Sequence, residues 1–267
     1  MTDAVAALLA DPRSALVALD FDGTLAPIVA RPEDASPVAG AHEVLRSLAE
    51  QIGMLAVISG RAAQEVVDLS GFGDIPGLRV LGHYGLQRWQ GGRVDSPPPD
   101  PAIDRVRLRL PAILEAAPDG VYVEDKEHSV AVHTRPAADP QRALDELGPV
   151  LRRLAADMGL EAVGGRYVIE LRPSGIDKGA ALRALVEETG AATVMYVGDD
   201  VGDLPAFRTV RALRDSGAVN GLAVVAFKAA RPGETAEVPP GLREAADLVL
   251  PGPDAVVGWL AGLLAML

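Results

Sequence analysis

Short, continuous apolar runs alternate with amphipathic stretches over the first third of the chain. Residues 16–20, 54–58 and 78–81 read as buried strands. Between them, residues 38–50 place Val38, Val44, Leu45 and Leu48 at helical spacing, and residues 61–69 have the same character. Strand–helix–strand order of this kind predicts parallel pairing through right-handed crossovers. The pattern changes after the breaker cluster Ser96-Pro97-Pro98-Pro99-Asp100-Pro101. Two helices are predicted over 102–116 and 140–158. Two hairpins accompany them, 121–125 with 129–134 and 160–163 with 166–171, the second turning at Gly164-Gly165. From residue 178 the first pattern returns. A helix over 178–189 precedes a buried strand at 193–197 and further strands at 222–227 and 248–250. A last helix follows Pro251-Gly252-Pro253-Asp254, with Asp254 as its N-cap. The fold class is therefore α/β: a parallel-sheet core, residues 1–98 and 173–267, split by an inserted α+β domain, residues 99–172, with helices on one face of an antiparallel sheet.

Composition narrows the reading. The chain has 267 residues, enough to bury a sizeable core without disulfides or structural metals. Cysteine is absent, so disulfide and thiolate chemistry are excluded. The net charge of −12 argues against nucleic acid and acidic membranes as partners, since both need clustered Lys and Arg. An anionic small substrate stays open if local cations and a metal ion serve it. The opening MTDAVAALLADP lacks a basic region and a cleavage site, and no apolar run reaches the roughly 18 residues of a membrane span. The expectation is a cytoplasmic protein.

Four polar signals fall where a parallel sheet collects its site residues, beyond the carboxyl ends of its strands. The first is Asp20-Phe21-Asp22-Gly23-Thr24, two acids at i and i+2 directly after the strand at 16–20. The pair suits phosphoryl transfer with an Asp nucleophile and a hard metal ion. The second is Ser59-Gly60-Arg61, whose hydroxyl and backbone N–H groups at a helix start make an anion site. The third is Asp177-Lys178-Gly179. A lysine in a first helical turn opposes the macrodipole, a cost that a facing phosphate would explain. The fourth is Gly198-Asp199-Asp200-Val201-Gly202-Asp203, an acid cluster suited to Mg²⁺. Singly, Ser59 also reads as a plain cap and Lys178 as a surface lysine.

This order resembles the haloacid dehalogenase superfamily of phosphohydrolases, and so implies a Rossmann-like core with a cap domain. The resemblance implies that Asp20 attacks phosphorus to give an aspartyl-phosphate, and that Asp22 is the general acid and base. It also implies that Asp20, the backbone carbonyl of Asp22 and Asp199 hold Mg²⁺. Ser59 and Lys178 would bind phosphate oxygens, with Asp200 and Asp203 orienting metal waters and Lys178.

In the inserted domain, strand alternation separates an apolar face (Val121, Val123, Val130, Val132, Ile169, Leu171) from a polar one. The polar face gathers Glu124, Lys126, His133, Arg135, Glu170 and Arg172. It reads either as a solvated sheet with cross-strand charge pairs or as a surface for a hydroxyl-rich ligand that closes over the core. The charges on Asp104, Arg105, Arg107 and Arg109 read as a solvated helix face.

The segments DFDGTLAPIV, SGR, VEDKEHSVAVHTR, Glu170-Leu171-Arg172-Pro173 and GDDVGDLPAF look like the trehalose-6-phosphate phosphatase family over nearly the whole chain. This implies Mg²⁺-dependent hydrolysis of trehalose 6-phosphate, with Glu124, Lys126 and Glu170 contacting the sugar and Arg61 at the core–cap junction. It also implies a functional link to trehalose-6-phosphate synthase. Two positions depart from the family pattern: Gly202-Asp203-Leu204 replaces Thr-Asp-Glu, and Tyr84 stands where the Gly-x-His-Gly segment has His. Phosphatases of sucrose phosphate or of a glycosyl-phosphoglycerate, a sugar-phosphate sensor without turnover and a structural partner of the synthase are the competing readings.

Overall fold

The structure is a computed structural model and describes residues 2–29, 31–165, 167–227, 238 and 240–267. The elements begin α1 (Asp3–Ala10), β1 (Ala15–Leu19), α2 (Ala41–Ala49), β2 (Met54–Ile58), α3 (Ala63–Ser70), β3 (Arg79–Gly82), β4 (Gln87–Gln90) and β5 (Arg93–Asp95). The middle segment holds α4 (Pro101–Leu114), β6 (Tyr122–Asp125), β7 (Val130–His133), α5 (Pro140–Met158), β8 (Leu160–Gly165) and β9 (Val168–Pro173). The chain closes with α6 (Lys178–Thr189), β10 (Thr193–Gly198), α7 (Leu204–Asp215), β11 (Asn220–Ala226), α8 (Pro240–Ala245), β12 (Leu248–Leu250) and α9 (Pro253–Leu264). It divides into two compact units, Met1–Ser96 with Asp177–Leu267, and Pro97–Ile176. Among the described residues, no helix is long and apolar enough to cross a membrane.

The first unit is built on one sheet in the order β12-β11-β10-β1-β2-β3-β4-β5. The pairs from β12 to β3 are parallel. All residues of β1 are buried, as a strand covered on both faces requires. Odd and even positions feed two separate cores. Val17, Leu19, Val57 and Val197 pack with Leu8, Leu45, Val66 and Leu260 of α1, α2, α3 and α9. Leu16, Ala18, Ile58 and Tyr196 pack with Leu182, Phe207 and Leu242 of α6, α7 and α8. The register Leu19↔Val197 and Leu19↔Val57 brings the carboxyl ends of β1, β2 and β10 to one edge.

β4 and β5 differ from the expected parallel pattern. They extend the sheet antiparallel beyond β3. The reason is local: β3 ends in a tight 3₁₀ turn, His83–Gly85, which reverses the chain instead of launching a crossover helix. His83 and Tyr84 there have φ of 46° and 58°, the left-handed region that side chains seldom adopt.

The second unit is a four-stranded antiparallel sheet, β6-β7-β9-β8, with α4 and α5 on one face. Asp100 and Asp139 cap α4 and α5 through Ala102 N and Arg142 N, each followed by a proline preset for the first turn. Val130, Val132, Ile169 and Leu171 are buried against Ile103, Val106 and Leu151. Val123 is 40% exposed, because edge strand β6 is not fully covered by the helices. The β8–β9 turn does not fall at Gly164-Gly165. Pairing continues through Gly165↔Val168, so both glycines belong to β8, and Tyr167 has φ 63°. Arg166 itself, predicted to open the strand, lies outside the described residues. Two further expectations are corrected. Asp254 lies inside α9, whose N-cap is Gly252, because Pro253 takes the first helical position. Arg107 is not a solvated charge: its side chain is 30% exposed and paired with Asp104 and Asp125.

Candidate active site

Asp20 follows the last residue of β1 and continues its pairing, its N–H donating to Val197 O at 2.8 Å. The residue is 4% exposed. Its Oδ1 lies 2.7 Å from Lys178 Nζ, which also donates to Asp203 Oδ1 at 2.8 Å. Lys178 is buried at the first position of α6, a helix capped by Asp177 through Ala180 N. Burial disfavours its ammonium, but Asp20 and Asp203 outweigh burial and hold it protonated, well above the ordinary lysine value.

Asp203 is fully buried, and four donors fill its carboxylate. Lys178 and the Tyr196 hydroxyl reach Oδ1 at 2.8 and 2.6 Å, and the N–H groups of Asp199 and Asp200 reach Oδ2 at 2.9 and 3.1 Å. Asp203 thus ties α6, β10 and the acid loop together. Asp200 turns the other way and caps the short turn Val201–Asp203 by accepting from Gly202 N at 2.7 Å. Gly198 is required here, since a Cβ would sit 2.3 Å from Asp203 Cγ.

Asp20, Asp199 and Asp203 have carboxylate oxygens within 4.8 Å of one another. With Asp203 saturated by its donors, Asp20 and Asp199 remain to face a cation. Burial pushes the Asp199 carboxyl up to about 10, reinforced by Asp20 and Asp203. Burial likewise pushes Asp20 up to about 8, with Lys178 opposing and Asp203 adding to the rise. Such crowding is what a hard divalent ion relieves, and the oxygen donor set fits one. Gly23, at φ 83°, brings the Asp-Phe-Asp-Gly turn against Asp199: a Cβ there would lie 1.9 Å from Asp199 Oδ2. This approach sets the backbone after Asp22 beside the same carboxylate.

Asp22 is gripped by Arg61, whose Nε and Nη2 donate to its two oxygens at 2.6 and 2.9 Å. Arg61 also donates to Pro32 O at 3.0 Å and pairs with Glu65. Every guanidinium nitrogen is therefore engaged within the first unit. Ser59 is buried just past β2 and accepts from Arg61 N at 3.1 Å. It is not at the helix start. α3 begins at Ala63, whose N–H is taken by Gln87 Oε1 at 3.0 Å.

The second unit carries a separate polar cluster on the open face of its sheet. Lys126 Nζ lies 3.7 Å from Glu124 Oε2 and 4.0 Å from Glu170 Oε1. His133 Nε2 lies 2.8 Å from Glu124, and Ser129 Oγ donates to Glu170 at 2.5 Å. The His133 contact, more than burial opposes it, holds Glu124 below the ordinary glutamate value. Arg172 shares the face of Glu170 but pairs with Glu161 of the neighbouring edge strand β8 at 2.9 Å, away from Lys126. Arg135 lies beyond β7 and is exposed.

Sequence reasoning missed Tyr196, Gly198 and Ser129. Tyr196 had a visible signal, a hydroxyl inside an otherwise apolar strand, which must find a buried partner. Gly198 and Ser129 are legible only once their neighbours are known.

The trehalose-phosphatase family profile matches residues 18–236. A trehalose-phosphate phosphatase of Mycobacterium avium is 37% identical over 210 residues, covering 74% of this chain and 52% of that protein. An uncharacterized glycosyl hydrolase of Mycobacterium tuberculosis is 39% identical over 211 residues, covering 74% of this chain but 15% of its own length. The chain thus spans about half the length of the first relative and much less of the second. The C-terminal domain of C. albicans trehalose-6-phosphate phosphatase shares the fold, with a TM-score of 0.78, 19% identity and coverage of 99% of this chain and 96% of that one. With its acid pair, lysine and acid loop on one sheet edge, this chain belongs to the trehalose-phosphatase family.

Proposed function

We propose that this chain hydrolyses trehalose 6-phosphate to trehalose and inorganic phosphate. The observation that carries the reading is the Lys178 ammonium, held 2.7 Å from Asp20 and 2.8 Å from Asp203. It puts a fixed, buried cation against a carboxylate that would otherwise repel a phosphate. Phosphoryl transfer asks for such positioning and charge stabilisation.

In the proposed sequence an Asp20 oxygen attacks phosphorus and the bond from phosphorus to the sugar oxygen breaks. Asp22 gives that departing oxygen its proton. A water then attacks the aspartyl-phosphate while Asp22 takes back a proton, and phosphate leaves with Asp20 regenerated. The Arg61 fork on Asp22 must open for Asp22 to meet the leaving oxygen. Ser59 and Lys178 bind the phosphate oxygens, and Asp203, with Asp200 beside it in the loop, keeps Lys178 and the acid loop in register. Asp20, the carbonyl of Asp22 and Asp199 are the proposed Mg²⁺ ligands. Bound there, the ion offsets carboxylate and phosphate charge. Glu124, Lys126 and Glu170 bind the sugar hydroxyls, with Arg61 a further substrate contact once it has left Asp22.

The test is phosphate release with Mg²⁺ from trehalose 6-phosphate, sucrose 6-phosphate and glucosyl 3-phosphoglycerate. Trehalose 6-phosphate is expected to give the highest kcat/KM, and Asp20→Asn to lose about 10³-fold or more of it. Higher kcat/KM on another ester rejects the substrate. Tight binding of trehalose 6-phosphate without turnover makes the chain a sensor. A cytoplasmic location and a functional partnership with trehalose-6-phosphate synthase belong to the same proposal. Fractionation and co-purification from cells test them.

A further inference from the structure

We infer that Arg107 is a positioning residue for substrate recognition: from the helix-covered side of the second unit's sheet it sets the turn that presents Lys126 on the open side. The inference rests on the proposed reading of Lys126 as a sugar contact.

The turn joining β6 to β7 is closed by Lys126 N donating to Ser129 O at 3.0 Å. Its first central residue, Glu127, has φ 64°. Such a conformation is strained for a side-chain-bearing residue and persists where the surroundings over-determine it. Arg107 supplies that determination. Its Nε and Nη2 donate to both Asp125 oxygens at 2.7 Å, and Nη2 donates again to Glu127 O at 2.8 Å. Nη1 donates to Asp104 Oδ1, one helical turn back on α4, at 2.6 Å. Asp125 Oδ1 completes the loop by accepting from Glu127 N at 3.1 Å. The guanidinium holds Asp125 below its ordinary carboxylate value, so the clamp keeps its charge through the physiological range.

Strand alternation makes this a mechanism across the sheet. Asp125 pairs in register with Val130, whose side chain is buried with the helices, while Glu124 pairs with Ala131 opposite Glu170. The clamp therefore grips one face and Lys126 projects from the other, 3.7 Å from Glu124 and 4.0 Å from Glu170. A planar fork with three acceptors fixes direction as well as charge, which a lysine does not reproduce.

The test compares Arg107→Met, Arg107→Lys and Arg105→Met, the last an exposed neighbour on α4. Amide hydrogen exchange reports the turn. In Arg107→Met the amides of 126–129 are expected to exchange about 10-fold faster while those of 169–172 are unchanged. Kinetics report the consequence. KM for trehalose 6-phosphate is expected to rise about 10-fold with kcat within about twofold, and kcat/KM for p-nitrophenyl phosphate to stay within about twofold. Arg107→Lys should fall between, and Arg105→Met should match wild type. Unchanged exchange in Arg107→Met overturns the clamp. Faster exchange with an unchanged KM overturns its link to substrate. Should wild type fail to hydrolyse trehalose 6-phosphate, the substrate reading falls separately and the link to substrate with it, while exchange still decides the clamp.

Discussion

Two lysine–carboxylate clusters on this chain obey different physics. Around Lys178 both partners are about 6% exposed or less, distances are 2.7–2.8 Å, and the acceptor Asp203 is pinned by backbone N–H groups. Around Lys126 the side chains are 22% and 44% exposed in the pair with Glu124, and the distances stretch to 3.7–4.0 Å. Burial makes the first cluster obligatory. Taking away one charge leaves others uncompensated in low dielectric, which costs several kcal/mol. In the second, Glu170 is buried, but water reaches Lys126 and Glu124 and the separations are long, so these pairs are adjustable and contribute about 0–1 kcal/mol. On the proposed function, the phosphoryl chemistry is held rigidly, while recognition of the sugar can change without endangering the fold.

The comparison breaks most readily at Lys178. Lys178→Met strands Asp20 and Asp203 together and should cost about 3–5 kcal/mol in urea unfolding, with phosphate release down about 10³-fold or more. A stability loss under about 1 kcal/mol would show the first cluster to be no more demanding than the second. Next comes the metal. At 100–1,000 times its Kd, Mg²⁺ should stabilise wild type by about 3–4 kcal/mol, lost on chelation. Asp199→Asn should abolish both that increment and phosphate release, yet leave the metal-free protein as stable as wild type or more so, because one crowded carboxylate is gone. A metal-free Asn variant that unfolds sooner than wild type would refute the crowding argument.

The partly exposed cluster around Lys126 should answer in recognition instead. Lys126→Ala is expected to raise KM for trehalose 6-phosphate about 10-fold while costing under about 1 kcal/mol of stability. The smallest effect is a pH dependence. Since His133 lowers the folded pKa of Glu124 below its ordinary 4.5, the contact stabilises above about pH 4.5 and is lost as pH falls through the depressed folded value. Wild type should therefore exceed Glu124→Gln by under about 1 kcal/mol at pH 7, and the advantage should vanish once the pH is well below the depressed folded value. An advantage that persists after Glu124 is protonated would assign it to packing.

The core site was legible because its polar groups interrupt apolar runs. Asp20, Ser59 and Asp199 each follow a buried strand, and the strands' carboxyl ends do meet. Asp203 lies beside Lys178, a pair that only the family resemblance had linked. What stayed hidden depends on non-local partners. Periodicity marks Arg107 as lying on α4, but only the returning β6–β7 turn shows what it holds. β4 was missed because one of its two buried positions is Gln87, whose amide serves Ala63 of α3, so the alternation looks polar. Gly164-Gly165 carries the usual turn signal, yet cross-strand pairing with β9 keeps both residues extended.

The pairing of β1 with β10 also carries a consequence for biosynthesis. Leu19 finds Val197 only after the whole intervening segment has been translated. At about 5–20 residues per second, that is a wait of about 10–35 s. Through it, one edge of a strand that ends fully buried depends on whatever else shields it, while the whole Pro97–Ile176 unit is added. Asp20, the proposed nucleophile, is thus among the first residues made, while Lys178, Asp199 and Asp203 around it are among the later ones.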